Sequence, residues 1–239
     1  MKKHLMENVP SIFAVFVIPA FNEERVIFET IQPIVKAGHR VVCVDDASSD
    51  STSFQAALAG AIVVRHLINS GQGASLQTGF NFIAQRISDF EDADYVITFD
   101  ADGQHSLSDL PQFINAFMVQ PELDIVLGSR FLSLDFKGSR LKSFVLKTMA
   151  YISQFTLGIK LTDRHNGFRA IKKNKIHHFR LNSPGYEHAD EFLYIIAHNH
   201  LKYVEVATDI KYTEYSLAKG QPIINGFKIL FDRFLSGWK

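Results

Sequence analysis

The chain has 239 residues, 46% of them hydrophobic, which is enough to bury one substantial core without disulfides. Its 25 basic and 25 acidic residues give a formal net charge of zero. No overall field therefore attracts polyanions, and we expect no nucleic-acid partner. The single cysteine, Cys43, lies in an apolar run and is expected to be an inert buried thiol, in keeping with a reducing cytoplasm.

Membrane-spanning and secretory segments are not expected. No stretch reaches the roughly 18 apolar residues that a membrane span requires. The N-terminal apolar run ends at Pro19, and the order of charged, apolar and small residues typical of a signal peptide is missing. We therefore expect a cytoplasmic protein that is not integral to a membrane.

Short β-branched segments alternate with longer amphipathic segments along the first half of the chain. Strands are predicted at residues 12–18, 40–45, 61–65, 95–100 and 124–128. Asn22 is predicted to cap the first helix and Gly38 to end it, while the second helix lies between Asp50 and Gly60 and the third covers residues 73–88. This alternation predicts βαβ crossovers and an α/β fold with a mainly parallel central sheet flanked by helices.

Polar residues follow three of the predicted strands, at positions 19–23, 45–50 and 100–104. Ligands of open parallel sheets bind beyond the carboxyl ends of the strands, so we expect these clusters to meet at one edge. In the third cluster, Asp100 and Asp102 are one residue apart, as in sites where carboxylates share Mg²⁺ or Mn²⁺ with substrate phosphates. The alternative is that Asp102 or Ser106 merely caps the next helix.

Two other segments carry candidate nucleotide contacts. Asp46 is predicted to accept hydrogen bonds from a ribose hydroxyl or a base N–H, whereas Asp45 is expected to cap a turn inside the sheet. The glycines of residues 69–75 either let backbone N–H groups approach a phosphate or form a tight turn. This segment lacks the Lys-Ser/Thr of a P-loop.

Several of these motifs together resemble family 2 glycosyltransferases, and the nearest branch is the dolichol-phosphate or polyprenyl-phosphate sugar transferases. The matching segments, in order, are residues 19–23, 45–50, 69–79, 100–105, 128–130 and 163–169. The resemblance extends from about residue 12 to residue 221. It implies a GT-A fold, a nucleotide-sugar donor, a divalent metal and inversion at the anomeric carbon.

The resemblance also implies roles for individual residues. The base and ribose of the donor would be held by Pro19, Phe21, Glu23 and Asp46. The metal and diphosphate would be held by Asp100, Ala101 and Asp102, with Gln104 completing the metal surroundings. Arg130 would lie near the donor or acceptor phosphate, and Lys219 resembles the lysine of a closing loop. Gln72 stands where many relatives have lysine.

The nature of the acceptor decides whether a catalytic base is needed. A lipid phosphate arrives ionised and needs none, whereas a sugar hydroxyl must lose a proton to a carboxylate. The candidates for that base are Asp190 and Glu191, ahead of Glu187, at the start of a predicted helix. Acidic residues in a first helical turn are also favoured by the helix dipole alone, so a structural role is the alternative.

We therefore predict an inverting glycosyltransferase that moves a sugar from a UDP- or GDP-sugar to a polyprenyl-phosphate or a lipid-linked saccharide at the cytoplasmic membrane face. The alternatives are a soluble transferase that uses a carboxylate base on a glycan hydroxyl, and a non-catalytic nucleotide-sugar-binding protein. The predicted transferase domain covers residues 1–222, followed by an amphipathic helix over 223–239. That helix and the stretch 140–156 are each compatible with core packing or membrane-interface contact, and the helix also with a homo-oligomer interface.

Overall fold

The computed structural model describes residues 13–132, 159–185 and 187–211. These residues form seven strands: β1 (Phe13–Ala20), β2 (Arg40–Asp45), β3 (Ile62–Arg65), β4 (Ala93–Thr98), β5 (Ile125–Ser129), β6 (Arg169–Lys172) and β7 (Tyr203–Ala207). The helices are α1 (Ile27–Lys36), α2 (Thr52–Leu58), α3 (Gln72–Gln85), α4 (Leu110–Val119) and α5 (His188–His198). Short 3₁₀ helices cover Ile87–Phe90, Leu107–Asp109 and Lys173–His178.

All seven strands belong to one sheet, in the order β3-β2-β1-β4-β6-β5-β7. Strand β1 pairs in parallel with β2 and β4, β2 with β3, and β5 with β7. Strand β6 is antiparallel to both of its neighbours, and its first residue, Arg169, lies opposite Thr98 and Leu127. The predicted α/β fold with a mainly parallel sheet is confirmed, and β6 is the antiparallel exception.

Both faces of the sheet are covered by helices. Along β1, Val15 and Val17 face the hydrophobic cluster that includes Phe80 of α3, whereas Phe16 and Ile18 face the cluster that includes the buried side of α1. This alternation follows from the period of two along a strand. With both faces buried, the strand reads as a continuous apolar run, and the loops at its carboxyl end are left to carry polar chemistry.

The five strands predicted from the sequence are present, each with ends within two residues of the prediction. The predicted cap of the first helix is wrong, because α1 begins only at Ile27. Asn22 instead has a left-handed φ of 54° and joins the loop after β1 to the loop after β2. Its N–H donates to Ser48 Oγ at 2.9 Å, and its Oδ1 accepts from the N–H of Ser49 at 2.9 Å.

Several predictions fall on residues outside the described ranges. They are Lys219, the C-terminal helix at 223–239 with its boundary at residue 222, and the stretch 140–156. Where the chain is described, no helix is both long enough and apolar enough to cross a membrane.

A core substitution tests the packing of α3 on the sheet. Phe80 is buried and its ring lies 6.3 Å from the rings of both Phe179 and Phe192. Phe80→Ala should lower the free energy of unfolding by about 3–5 kcal/mol, since it removes a buried ring and leaves a cavity. Urea unfolding measures this loss. The control is Phe54→Ala, at a residue that is 66% exposed, which should change stability by no more than about 0.5 kcal/mol. Equal effects of the two substitutions would contradict this packing.

Candidate active site

The three polar clusters meet at the carboxyl edge of the sheet, after the adjacent strands β2, β1 and β4. Glu23 N–H donates to Thr52 Oγ1 at 2.7 Å, which joins the first cluster to the start of α2, just after the second cluster. Thr30 Oγ1 donates to the carbonyl of Ala101 at 3.2 Å, which joins α1 to the third. Among the residues predicted to hold the nucleotide, Pro19 and Glu23 are buried and Phe21 is exposed at the rim.

The carboxylate of Asp46 organises the loop that leads into α3. Its Oδ1 accepts hydrogen bonds from the N–H of Ser70 at 2.8 Å and from His66 Nδ1 at 2.7 Å. Its Oδ2 accepts from the N–H of Gly71 at 2.7 Å. Asp46 is therefore the residue that fixes residues 66–71 against β2. Its contact with a nucleotide stays a prediction, and such a contact would have to share an already hydrogen-bonded carboxylate.

Asp45 has the structural role expected of it. Its side chain is fully buried, and its Oδ1 accepts from the N–H of Ser48 at 2.9 Å. Its Oδ2 accepts from the hydroxyl of Ser53 and lies 3.6 Å from Arg65 Nε. The first of the two adjacent aspartates thus stabilises the turn after β2.

Asp100 lies just beyond β4 and is held from three sides. Gln72 Nε2 donates to Oδ1 at 3.2 Å, and His105 Nε2 donates to Oδ2 at 2.9 Å. On the third side, a Cβ at residue 167 would overlap both carboxylate oxygens, so a larger residue there would displace the Asp100 side chain. Burial acts to raise the pKa of Asp100, but the hydrogen bond from His105 and the charge of nearby Arg169 outweigh it and lower the pKa.

Asp102 has the opposite electrostatic character. Burial, followed by repulsion from Asp100, raises the pKa of Asp102 to about 6. The hydrogen bond that its Oδ1 accepts from the N–H of Gln104, at 3.0 Å, only partly offsets this. A raised pKa beside a second carboxylate marks a place where negative charge lacks compensation, which a cation would supply.

The residues at this position fit a hard divalent cation. Carboxylate oxygens of Asp100 and Asp102 and the amide oxygen of the half-buried Gln104 are the ligand types that Mg²⁺ and Mn²⁺ take. Within the described ranges, no group of three or more His, Cys, Asp or Glu side chains is arranged to hold a metal. A site built from two carboxylates agrees with a cation that shares its coordination with substrate phosphates.

Three arginines lie on the β5–β6 side of this edge. Arg130 follows β5, and its Nε donates to Asp163 Oδ2 at 2.6 Å. An Nη2 of Arg164 lies 2.5 Å from Asp190 Oδ1. Each of these two guanidinium groups is thereby oriented by a carboxylate.

The third arginine, Arg169, is only 3% exposed and lies 4.4 Å from the centre of the Phe192 ring. Burial lowers the pKa of Arg169 to about 10, against the opposing effect of Asp100 and Asp163. Arg169 is thus a buried positive charge that interacts with the carboxylates of Asp100 and Asp163. No individual role is predicted for Arg169 from the sequence, although it ends the motif at residues 163–169.

The two residues predicted as a catalytic base are both engaged. Glu191 accepts hydrogen bonds from the N–H groups of Asn182 and Ser183, each at 2.8 Å. Burial opposes ionisation of Glu191, but these hydrogen bonds outweigh it and lower its pKa, which makes Glu191 a weaker base. Asp190 is paired with Arg164. A catalytic base at either position stays a prediction. In the structure, the hydrogen bonds of Glu191 hold the loop before α5.

Comparison with known proteins identifies the chain as a glycosyltransferase. Residues 15–179 match the model of the family described as glycosyl transferase family 2, and the chain belongs to that family. It is 30% identical over 237 residues to the UDP-N-acetylglucosamine–dolichyl-phosphate N-acetylglucosaminyltransferase of Methanococcus voltae, covering 90% of this chain and 92% of that protein. It is 27% identical over 229 residues to the polyprenol monophosphomannose synthase of Mycolicibacterium smegmatis, covering 87% and 80%.

The fold also matches a solved structure. Glucosyl-3-phosphoglycerate synthase from Mycobacterium tuberculosis, crystallised with Mn²⁺ and UDP-glucose, aligns with a TM-score of 0.58 at 20% identity. The alignment covers 84% of this chain and 72% of that one. The predicted GT-A fold and the predicted family are therefore confirmed.

The raised pKa of Asp102 makes the stability of the metal-free protein depend on pH. Folding raises this pKa from 3.8 to about 6, so the associated stability is complete below pH 3.8 and is lost as the pH rises through about 6. Asp102→Asn cannot ionise and should exceed the wild type in stability at pH 8, by at most about 3 kcal/mol, since one pKa unit corresponds to about 1.4 kcal/mol. Urea unfolding at pH 8 and pH 4 in excess chelator measures the difference.

The difference should nearly vanish at pH 4. The control is the exposed Asp94, where Asp94→Asn should change stability by less than about 0.5 kcal/mol. An Asp102→Asn protein that matches the wild type at pH 8 would show that Asp102 is not destabilised by ionisation.

Proposed function

We propose that this glycosyltransferase moves a sugar from a UDP- or GDP-sugar to a polyprenyl-phosphate, with Mg²⁺ or Mn²⁺ held by Asp100, Asp102 and Gln104. The observation that carries the proposal is the pair of carboxylates directly after β4 at the carboxyl edge of the sheet, where Gln72 and His105 both donate to Asp100. The names of the two curated relatives, which include a dolichyl phosphate and a polyprenol monophosphate, support the acceptor class.

In this proposal the donor lies across the carboxyl ends of β1, β2 and β4. Its base and ribose contact residues 19–23 and Asp46, and its diphosphate lies over Asp100, Ala101 and Asp102. A bound cation supplies positive charge that stabilises the departing nucleoside diphosphate. Arg130, oriented by Asp163, adds positive charge at the phosphates, and so does Lys219.

The choice of acceptor depends on whether the acceptor must lose a proton during transfer. An ionised phosphate oxygen attacks the anomeric carbon as the bond from that carbon to the donor phosphate breaks, which inverts the configuration. No proton has to be removed, so a base is unnecessary. The engagement of Glu191 with the 182–183 loop and of Asp190 with Arg164 supports this choice over a hydroxyl acceptor.

A lipid-linked acceptor also has a consequence for location. We place the enzyme peripherally at the cytoplasmic membrane face, where the phosphate of the acceptor is accessible from the aqueous side. In this proposal the amphipathic helix predicted at residues 223–239 contributes interfacial contact.

The metal part of the proposal is tested with Asp102→Asn. This variant should fold and lose sugar transfer, because the amide carries no charge to hold the cation. Transfer is measured as release of UDP or GDP from a panel of nucleotide sugars in the presence of polyprenyl-phosphate. Excess chelator should abolish wild-type transfer, and Asp94→Asn should retain it. Full transfer by Asp102→Asn would exclude the metal assignment.

The acceptor class is tested at the two carboxylates before α5. With Asp190→Asn and Glu191→Gln combined, transfer to polyprenyl-phosphate should stay within about tenfold of the wild type, since no base is required, whereas a hydroxyl acceptor would lose on the order of 10²–10⁴-fold. Arg130→Ala should reduce transfer strongly with either acceptor, because its charge acts on phosphate.

The thermal unfolding midpoints of these variants show whether a loss of transfer comes from destabilisation of the loop that Glu191 holds or from loss of a catalytic base. The exposed Arg86→Ala serves as the control for removal of an arginine. A large loss at the carboxylates in a folded protein, with no transfer to polyprenyl-phosphate in the wild type, would favour the glycan-hydroxyl alternative.

A further inference from the structure

Asp100 is held by one side-chain donor on each of its oxygens. Gln72 approaches Oδ1 from the first residue of α3, and His105 approaches Oδ2 from the loop after β4. Gly167 lies on the third side, where a Cβ would come within 2.3 Å of each carboxylate oxygen. Rotation of the carboxylate would break at least one of these hydrogen bonds. The orientation of Asp100 is therefore fixed before any ligand binds.

His105 is suited to hold one proton in a defined place. It is buried, and its ring lies 5.3 Å from that of Phe99 and 5.7 Å from that of Phe168. Its Nδ1 is buried and has no hydrogen-bond partner among the described residues. A proton on Nδ1 would leave an unpaired N–H in an apolar setting, so the tautomer with the proton on Nε2, directed at Asp100, is favoured.

Gln72 is held by its backbone surroundings. The next residue, Gly73, donates its N–H to the carbonyl of Pro184 at 2.8 Å. The preceding residue, Gly71, donates its N–H to Asp46. Gly71 has a φ of +94°, and a Cβ there would overlap the carbonyl of Pro184. The segment that carries the Gln72 amide is thus fastened on both sides, which lets a flexible side chain act as a directed donor.

We propose that His105 and Gln72 are positioning residues that hold the Asp100 carboxylate in its metal-binding orientation. The proposal rests on the metal site of the proposed function. In this proposal neither residue is itself a ligand of the metal. Each acts through Asp100, in the way that hydrogen-bond partners behind a ligand fix its direction in other metal sites. The neutral amide of Gln72 does this without adding a positive charge that would compete with the cation.

The two carboxylates are held by different kinds of hydrogen-bond donor. Asp100 accepts hydrogen bonds from two side chains that belong to separate elements, whereas Asp102 accepts its hydrogen bond from the nearby backbone N–H of Gln104. We therefore expect the direction of Asp100, more than that of Asp102, to depend on neighbouring side chains. Loss of a positioning residue should weaken metal binding without altering the contacts of the nucleoside.

The test uses substitutions that remove one donor each and keep the shape. His105→Phe preserves a ring between Phe99 and Phe168, and Gln72→Met preserves chain length. The matched control is His39→Phe. His39 lies directly before β2, at the amino end of that strand, and its ring lies 5.5 Å from that of Phe16. Mn²⁺ affinity is measured by electron paramagnetic resonance of the full chain with saturating UDP and, separately, GDP. Nucleotide affinity is measured by calorimetry in excess chelator.

His105→Phe and Gln72→Met should each weaken Mn²⁺ binding by about 10–100-fold. Their nucleotide affinity in chelator should equal that of the wild type, and His39→Phe should match the wild type in both measurements. Wild-type Mn²⁺ affinity in both variants would overturn the positioning role while leaving the metal site intact. A wild type that binds no Mn²⁺ with either nucleotide would overturn the metal site itself. If His105→Phe fails to fold, Gln72→Met decides the matter alone.

Discussion

The site depends on keeping the Asp100 carboxylate ionised at the end of a buried strand. Taking a carboxylate out of water is unfavourable, and here the opposing contributions come from the hydrogen bond of His105 and the buried charge of Arg169. The antiparallel strand β6 makes this arrangement available, because it begins at Arg169 directly opposite Thr98 at the end of β4. The one antiparallel strand among those described thus places the positive charge of Arg169 close to acidic residues that follow the parallel strands.

The loops around the site are held together by carboxylates that act on backbone N–H groups. Asp46 fixes residues 70 and 71, Glu191 fixes residues 182 and 183, and Asp163 binds the N–H of Arg130 at 3.0 Å. Each such bond is charge-assisted and stronger than a bond between neutral groups. Acidic residues near the proposed phosphate site would ordinarily repel an anionic ligand. The charges of Asp46, Glu191 and Asp163 are instead directed at backbone N–H groups and at Arg130.

Much of the fold was predictable from the sequence, because parallel strands buried on both faces read as β-branched runs separated by helices. Strand β6 was missed, since a four-residue strand carries no periodicity that distinguishes it from a loop. Strand β7 was also missed, although Val204 and Val206 alternate with polar residues and could have indicated it. Asn22 was read as a helix cap because its residue type fits that position, but its contacts are with a loop 26 residues away in the chain.

Only part of the candidate site could be predicted from the sequence. Spacing alone identifies Asp100 and Asp102 as a pair, because both lie in one short segment. It cannot show that Glu191 faces a loop or that His105 faces Asp100, since those contacts depend on how separate elements pack. The same limit applies to charge, because two aspartates with one residue between them acquire opposite pKa shifts only through their different neighbours. A motif therefore gives the candidate ligands of such a site, and the packing around it determines which side chains hold each of them.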